Sequence, residues 1–382
     1  MNLKEETLML RTMVESFTKK EIEPIAEGMD RTDEWPEGMW KKLGNIGVLG
    51  VTVPEEYGGA GLGALEQVIV VEELAKYSAA IAVSYTGHSN LCAHNLHRNG
   101  SEYQRNRYLP NLCSGEMVGA LALTEPGAGS DAVGLQTRAE SKNGHYLLNG
   151  TKMFITNGPC ADVIIVYAKT DKAAGARGIS AFLVEKGFSG FSVSKRLEKM
   201  GNRGSETGEL VFEDCKVPLE NVLGGENKGI KVMMSGLNIE RVVVSAISLG
   251  IAEGAFREAI KYSKERSQFG KLICSFQMIQ SKLADMYTAI EASRLLTYNA
   301  AIQADEGKDV TMEAAAAILF TAEAATKIAL DAVQIHGGYG YMLEYPVNRY
   351  LRDAKLYEIG AGTSEIRRLI IARGILGMDT FR

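Results

Sequence analysis

Cysteine is sparse and unpaired in this chain: five thiols in 382 residues, Cys92, Cys113, Cys160, Cys215 and Cys274, with no Cys-x-x-Cys spacing among them. That pattern excludes a disulfide framework and a thiolate zinc site as organising features. Long apolar runs are missing too. No stretch approaches 18 uninterrupted apolar residues, so no membrane span is expected. The opening "MNLKEETLMLRTMVESF" lacks the apolar core of a secretory signal, so we expect a bacterial-type cytoplasmic protein or the processed form of a mitochondrial-matrix one. Charge of one sign is nowhere concentrated. The 42 Lys and Arg against 47 Asp and Glu give a net charge of -5 from interspersed signs, with no basic stripe for nucleic acid.

What is present is an ordinary globular composition, 46% hydrophobic and 23% charged, over a length that suits two or three cores. The segments "EETLMLRTMVESFTKKEI", "EGMWKKLGNIGV", "ALEQVIVVEELAKYS" and "SEYQRNRYLPNLCSG" carry apolar residues at three- and four-residue spacing, which predicts a helical domain over residues 1–114. From about residue 115 the period changes. "GALALTE", "HYLLNGTKMFITN", "ADVIIVYAKT", "GISAFLVEKG" and "TGELVFEDCKV" are short alternating or β-branched runs between Gly, Asn and Asp turns, a β domain over 115–226. Residues 275–306 and 308–336 then contain neither Gly nor Pro on either side of Gly307, which predicts long antiparallel helices within a bundle over 227–382. The fold class is therefore α+β, mostly α. The alanine-rich "TMEAAAAILFTAEAATKIAL" also suits close packing between subunits.

Four local patterns bear on chemistry. "HSNLCAHNLH" clusters His88, Cys92, His94 and His97, but at 100° per residue His97 lies opposite His88, so packing rather than a metal is expected. "YGGAGLGALEQ" satisfies a dinucleotide fingerprint through Gly59, Gly61 and Ala64, yet Pro54 breaks the preceding run and no acidic residue stands at the ribose distance, so it reads as a loop ahead of a helix. "ALTEPGAGSDAVG" is more informative: Gly127, Gly129, Ser130 and Asp131 follow a strand and can expose backbone N–H groups to a phosphate or a polar ring edge, or form a plain turn. Downstream, "KMFITNG" sets Phe154 and Thr156 two residues apart on one strand face, a flat ring beside a donor, which suits a heterocyclic cofactor.

With "LTEPGAGSD" and "KMFITNG", the motifs "ERSQFGK" (265–271), "QIHGGYGY" (334–341), "RDAKLYEI" (352–359) and "GTSEI" (362–366) appear in order, and the whole chain resembles the acyl-CoA dehydrogenase family. The resemblance implies a homotetramer with an N-terminal helical domain, a middle β-barrel-like domain and a C-terminal four-helix bundle. It implies FAD, with Thr124 at the pyrimidine side of the flavin, Gly129 and Ser130 near the phosphates, and Phe154 and Thr156 at the ring. Arg266, Phe269, Gln334 and Gly338 match positions for the pyrophosphate and adenine half of an FAD lying across a subunit contact, and Thr363 and Glu365 match further FAD contacts. Ser130, Arg241 and Gly360 match positions on the substrate side. The implied reaction is α,β-dehydrogenation of an acyl-CoA, with electrons passed to an electron-transferring flavoprotein.

Medium- and short-chain relatives keep their base in a "Tyr-Glu-Gly-Thr" loop, and the matching place in "EIGAGTSEI" is Ala361, whose backbone N–H matches a donor to the thioester carbonyl. The isovaleryl-type and long-chain branches instead place the base on a helix, and the matching residue in "MMSGLNIERVVVSAI" is Glu240. A helix Glu is commonly a solvated face residue. Here the flanking Met233, Met234, Leu237, Ile239 and Val242 to Val244 leave little polar face, the setting of a general base. Gly360 stands where straight-chain enzymes carry a bulky Tyr, so a short branched acyl-CoA, isovaleryl-CoA first, is the expected substrate, with other small or cyclic acyl thioesters open. A homologue that binds flavin and acyl-CoA without turnover, and a nicotinamide enzyme built near Gly59, are the competing readings.

Overall fold

The structure, a computed structural model, describes residues 3–378. Helices α1 (Glu5–Phe17), α2 (Ala26–Thr32), α3 (Met39–Asn45), α4 (Ala64–Ala75), α5 (Ala79–Thr86), α6 (Asn95–Asn99) and α7 (Glu102–Ser114) form the first part of the chain. Between α5 and α6, Gly87–His94 is π-helical, so the 100° step assumed for the histidine cluster does not hold there. Helix α7 begins with a reciprocal cap: Ser101 Oγ accepts from the Gln104 N–H, and Gln104 Oε1 accepts from the Ser101 N–H at 3.0 Å.

Strands β1 (Gly119–Ala122), β2 (Arg138–Lys142), β3 (His145–Thr156), β4 (Val163–Lys169), β5 (Ile179–Glu185), β6 (Phe191–Arg196), β7 (Thr207–Pro218) and β8 (Val222–Leu223) form one sheet in the order β6-β7-β3-β2-β4-β5-β8, with β1 parallel to β4. Period-two burial explains its two faces. On β4, Val163, Ile165 and Tyr167 join a core shared with α7 and the π-helical segment, while Ile164, Val166 and Ala168 join a core made by the sheet itself with Tyr146, Leu148, Leu210 and Phe212. Strands β2 and β6 were not expected from the sequence: nearly all their side chains are exposed, and only two residues of β6, Phe191 and Val193, alternate with polar ones, too short a run to mark a strand.

Helices α8 (Gly229–Glu265), α9 (Gln277–Asp305) and α10 (Thr311–His336) return the chain to helix, followed by α11 (Val347–Ala354) and α12 (Ser364–Ile375). Helices α8, α9, α10 and α12 make the four-helix bundle, and a short hairpin of β9 (Ser267–Gln268) and β10 (Lys271–Leu272) leads from α8 to α9. The alanine-rich face of α10 packs within the protomer. Ala314, Ala317, Ala322, Ala325 and Ala329 are buried in the protomer's own core, where their small size lets α10 approach α8 closely. Helix α8 is long and apolar enough to cross a membrane by length and composition, but 72% of the relevant window is buried, against α4, α9 and α10.

One buried clamp joins the β domain to the C-terminal part. The Asn202 N–H donates to Asp353 Oδ1, Asn202 Nδ2 donates to the Asp353 carbonyl at 3.2 Å, and the Tyr357 hydroxyl donates to Asn202 Oδ1 at 2.7 Å. All three residues are buried.

Candidate functional site

The Gly-rich loop is pinned to β3 from two sides. The Met153 N–H donates to the Thr124 carbonyl at 2.9 Å, and Glu125 and Ala128 exchange backbone bonds of 3.0 and 3.1 Å that close a turn over Pro126 and Gly127. Beneath it lies a pair that the sequence reading did not single out. Lys152, fully enclosed, donates from Nζ to Glu125 Oε1 and to the Leu123 carbonyl, each at 2.9 Å. Glu125 also accepts from the Gln136 and Thr137 amides. Burial works to raise the Glu125 carboxyl, but Lys152 and the amides hold it below the usual range. Burial also pushes Lys152 down to about 8, against the pull of Glu125. The two directions disagree on how well the pair compensates. We favour the charged pair at neutral pH, because two backbone amides hold the carboxylate independently of the lysine.

Gly127 and Gly129 do not need glycine for their backbone angles, since neither has positive φ. What they provide is bare backbone: a Cβ at either would meet nothing within 4 Å, so the loop stays open to a ligand lying against it. Ser130 is exposed at its end. Phe154 is placed by a bulge that simple alternation could not foresee. Four residues of β3, Lys152 to Ile155, oppose three of β7, Gly208 to Leu210, and Phe154 sits at φ +62° with 67% of its surface exposed. A large aromatic held outward in a strained conformation suits a ring stacked against it. Thr156 lies beside it, packed against Gly87 of the π-helical segment, where a Cβ would meet its methyl at 3.5 Å.

Glu240 lies on α8 between the apolar cores that hold Met233 on one side and Val242, Val243 and Val244 on the other. It is 9% exposed, and no hydrogen bond or ion pair within 4.0 Å engages its carboxylate among the described residues. Burial pushes its carboxyl up to about 7, opposed by the guanidinium groups of Arg241 and Arg367. The other two acids near the loop are unsuited to take a proton. Glu358 is engaged by Thr326 Oγ1 at 2.5 Å and Lys355 Nζ at 2.6 Å; burial works against ionisation, but these partners hold it below the usual range. Glu365 is exposed.

The loop after Tyr357 presents a backbone donor. Ala361 sits at φ +56° and Gly362 at +87°, and the Ala361 N–H has no partner among the described residues. Gly360 is fixed at both ends: its N–H donates to the Leu356 carbonyl at 2.8 Å, and its carbonyl accepts from Arg367 Nη2 at 2.6 Å. A Cβ on Gly360 would have the Leu356 carbonyl as its nearest neighbour, at 3.5 Å, so the position faces free space. Thr363 uses its hydroxyl to cap α12, accepting from the Ile366 N–H. Arg367, fully buried, was missed by the sequence reading, which stopped at Ile366. The available signal was its place with Ser364 and Ile370 on the buried stripe of α12.

Arg266, Phe269 and Gly338 are not near Glu240. From Glu240 to Arg266 the helix advances on the order of 40 Å at ~1.5 Å per residue. At that far end, Arg266 with Gly337, Gly338 and Tyr339 lines a cleft of 480 Å³, and the Arg266 guanidinium lies over the Tyr339 ring. Gln334 is exposed on α10 just before it. Phe269 and Gly270, both at positive φ, form the two-residue tip of the β9–β10 hairpin, with Phe269 92% exposed. Within one protomer, Glu240 and the cleft at Arg266 thus lie far apart along α8.

The remaining patterns have structural partners. Both His88 nitrogens are committed, Nδ1 accepting from the Gly119 N–H and Nε2 donating to the Leu112 carbonyl, each at 3.0 Å. The loop at Gly59 to Gly63 leads into α4, whose first N–H groups, at Ala64 and Leu65, donate to the Asp305 carboxylate at 2.6 and 3.1 Å. That helix end already holds an anion of its own.

Comparison with known proteins agrees with the architecture. Residues 4–116, 120–215 and 227–376 match the N-terminal, middle and C-terminal domains of acyl-CoA dehydrogenases. The chain is 54% identical over 375 residues to the mitochondrial isovaleryl-CoA dehydrogenase of Pongo abelii, covering 97% of this chain and 89% of that one. The butyryl-CoA dehydrogenase of Megasphaera elsdenii superposes with a TM-score of 0.96 at 43% identity, over 98% of this chain and 99% of that one. A chain solved in work on the electron transferring flavoprotein of Acidaminococcus fermentans and flavin-based electron bifurcation superposes with a TM-score of 0.97 at 46% identity, over 98% and 99%.

Proposed function

Since the chain belongs to the acyl-CoA dehydrogenase family, an FAD-dependent oxidoreductase acting on CH–CH bonds, we propose that its substrate is a short branched acyl-CoA, isovaleryl-CoA first, and that Glu240 is the base. The observation that carries this reading is a buried carboxylate without an ion-pair partner on α8, in a chain whose loop holds Ala361 where a carboxylate would otherwise stand.

The loop at Gly127 and Gly129, with Thr124, Ser130, Phe154 and Thr156, would hold the flavin end of FAD: an open backbone cradle beside an outward-facing aromatic and a hydroxyl fits a polar heterocycle. The adenine end would lie against Arg266, Phe269, Gln334 and Gly338 of another protomer in a homotetramer, with Thr363 and Glu365 as further contacts, because one protomer separates the two half-sites. When bound, FAD supplies the acceptor for the hydride that leaves the β-carbon.

The chain's own residues handle the proton and the carbonyl. An α-proton of a thioester is weakly acidic, so the carbonyl oxygen must be stabilised as negative charge develops there. The free Ala361 N–H supplies that donor, and its αL conformation turns the N–H away from the helical ladder on either side. Glu240, poorly solvated, is a stronger base than a carboxylate in water, and the α-proton passes to it. Arg241, at the next position, borders the acyl end of the site. Electrons would leave to an electron-transferring flavoprotein.

Anaerobic addition of isovaleryl-CoA to the purified yellow protein tests the reading: the flavin absorbance is expected to bleach within the mixing time of a stopped-flow experiment. Faster bleaching by butyryl-CoA would keep the reaction class and defeat the branched-chain assignment. Gly360→Ala refines the test. Its Cβ fits without clash and intrudes on the free space beside the acyl chain. The variant is expected to lower kcat/KM for isovaleryl-CoA by about tenfold relative to butyryl-CoA, the scale of one methyl group in an apolar pocket. An unchanged ratio would remove Gly360 from the specificity argument.

A further inference from the structure

Two buried guanidinium groups, that of Arg241 next to Glu240 on α8 and that of Arg367 on α12, use only part of their hydrogen-bonding capacity. Arg241 donates from Nη1 to Asn238 Oδ1 at 2.9 Å, while its Nε has no partner. Arg367 donates from Nη2 to the Gly360 carbonyl, while its Nε and Nη1 have none. Burying a guanidinium with idle donors is costly unless its charge is used. No Arg–Glu240 pair closes to within 4.0 Å among the described residues, so neither guanidinium is sealed in an ion pair with that carboxylate.

We propose that Arg367 is a positioning residue for this reaction: its guanidinium anchors the loop that carries the Ala361 donor and, with Arg241, keeps Glu240 ionised as a base. The proposal rests on the reading of Glu240 as the base. Three elements bring charged or titratable groups to Glu240: Arg241 on α8, Tyr167 on β4 and Arg367 on α12. Tyr167 is itself held well above the usual tyrosine range by burial and is neutral at working pH. Beyond Arg367, Glu323 of α10 and Glu358 oppose its loss of charge, while Arg241 and burial favour that loss. The guanidinium groups are thus the charges that offset burial at Glu240, and Arg367 alone among them also grips the donor loop.

Two substitutions separate the functions. Arg367→Gln removes the charge and keeps a donor for the Gly360 carbonyl; the acid limb of kcat is expected to move up by about one pH unit or more. At pH 7, where about half of the wild-type carboxyl is ionised, a displacement of one unit lowers the rate about fivefold, and the rate recovers toward pH 9. Arg367→Lys keeps the charge and alters the grip on Gly360; its limb stays near that of the wild type while kcat falls at every pH. A limb that does not move in Arg367→Gln overturns the proposal. Should the Gln variant not accumulate as yellow protein, a displacement of a full unit in Arg367→Lys overturns it as well. Glu240→Gln measured alongside tells the two readings apart. If that variant turns over normally, the base assignment itself is wrong; if it is inactive and the Arg367→Gln limb is unmoved, only the role of Arg367 fails.

Discussion

Glu240→Gln is expected to lose about 10²- to 10⁴-fold in kcat, the usual contribution of a positioned general base, while binding acyl-CoA with a KM within a few-fold of the wild type. The variant keeps the shape of the side chain and removes its capacity to take a proton, so FAD retention is expected to be unaffected. Anaerobic bleaching by isovaleryl-CoA checks it: a yellow variant that bleaches at the wild-type rate removes Glu240 from the mechanism. The wild type should show an acid limb near pH 7, because burial raises this carboxyl to about 7 and the protonated form cannot act. A stability effect of opposite sign should accompany the loss. A carboxyl whose folded value lies above its ordinary 4.5 binds its proton more tightly when folded. Ionising it therefore lowers stability as pH rises from about 4.5 to about 7, by on the order of 3 kcal/mol in full. The neutral Gln escapes that loss. Denaturant titrations should find the variant more stable than the wild type at pH 8 and similar to it at pH 4.

Lys152→Met is expected to cost about 3–5 kcal/mol, the scale for removing one member of a buried ion pair. Glu125 keeps its two amide donors but loses the cation, and the Leu123 carbonyl loses its partner. Because these groups underlie the open loop at Gly127 to Ser130, weakened flavin retention should accompany the lowered melting temperature. Combining Lys152→Met with Glu125→Gln should recover part of the loss, since the second change removes the uncompensated charge. A single variant that melts like the wild type would show that the pair does not hold the loop.

Much of the frame was legible because helix and strand periods differ and the long bundle helices are free of Gly and Pro. Glu240 was singled out by the resemblance, and its burial was legible because its flanks, Met233, Leu237, Ile239 and Val242 to Val244, leave little polar face. Several features were not legible, for local reasons. A bulge at Phe154 inserts a residue without altering composition, and the π-helical turn at Gly87–His94 changes the angular step without altering residue types. The strands β2 and β6 carry few buried side chains, so apolar patterning did not mark them, although each pairs with the next strand in the chain, β2 with β3 across Asn143 and Gly144 and β6 with β7. Arg367 and the Glu125–Lys152 pair are charged residues at buried positions, which pattern reading assigns to solvent until their partners are known.

The clamp of Asn202, Asp353 and Tyr357 bears on how the enzyme would measure its substrate. It welds the β domain, which carries Phe154 and Thr156, to the segment that runs directly into Gly360 and Ala361. Opening it would strand buried polar groups without partners, a penalty of about 1–3 kcal/mol for each one. The two walls are thereby kept at a constant separation. Selection among acyl chains then works as a fixed gauge rather than as a closing jaw, and a change of gauge has to come from the side chains that line the gap.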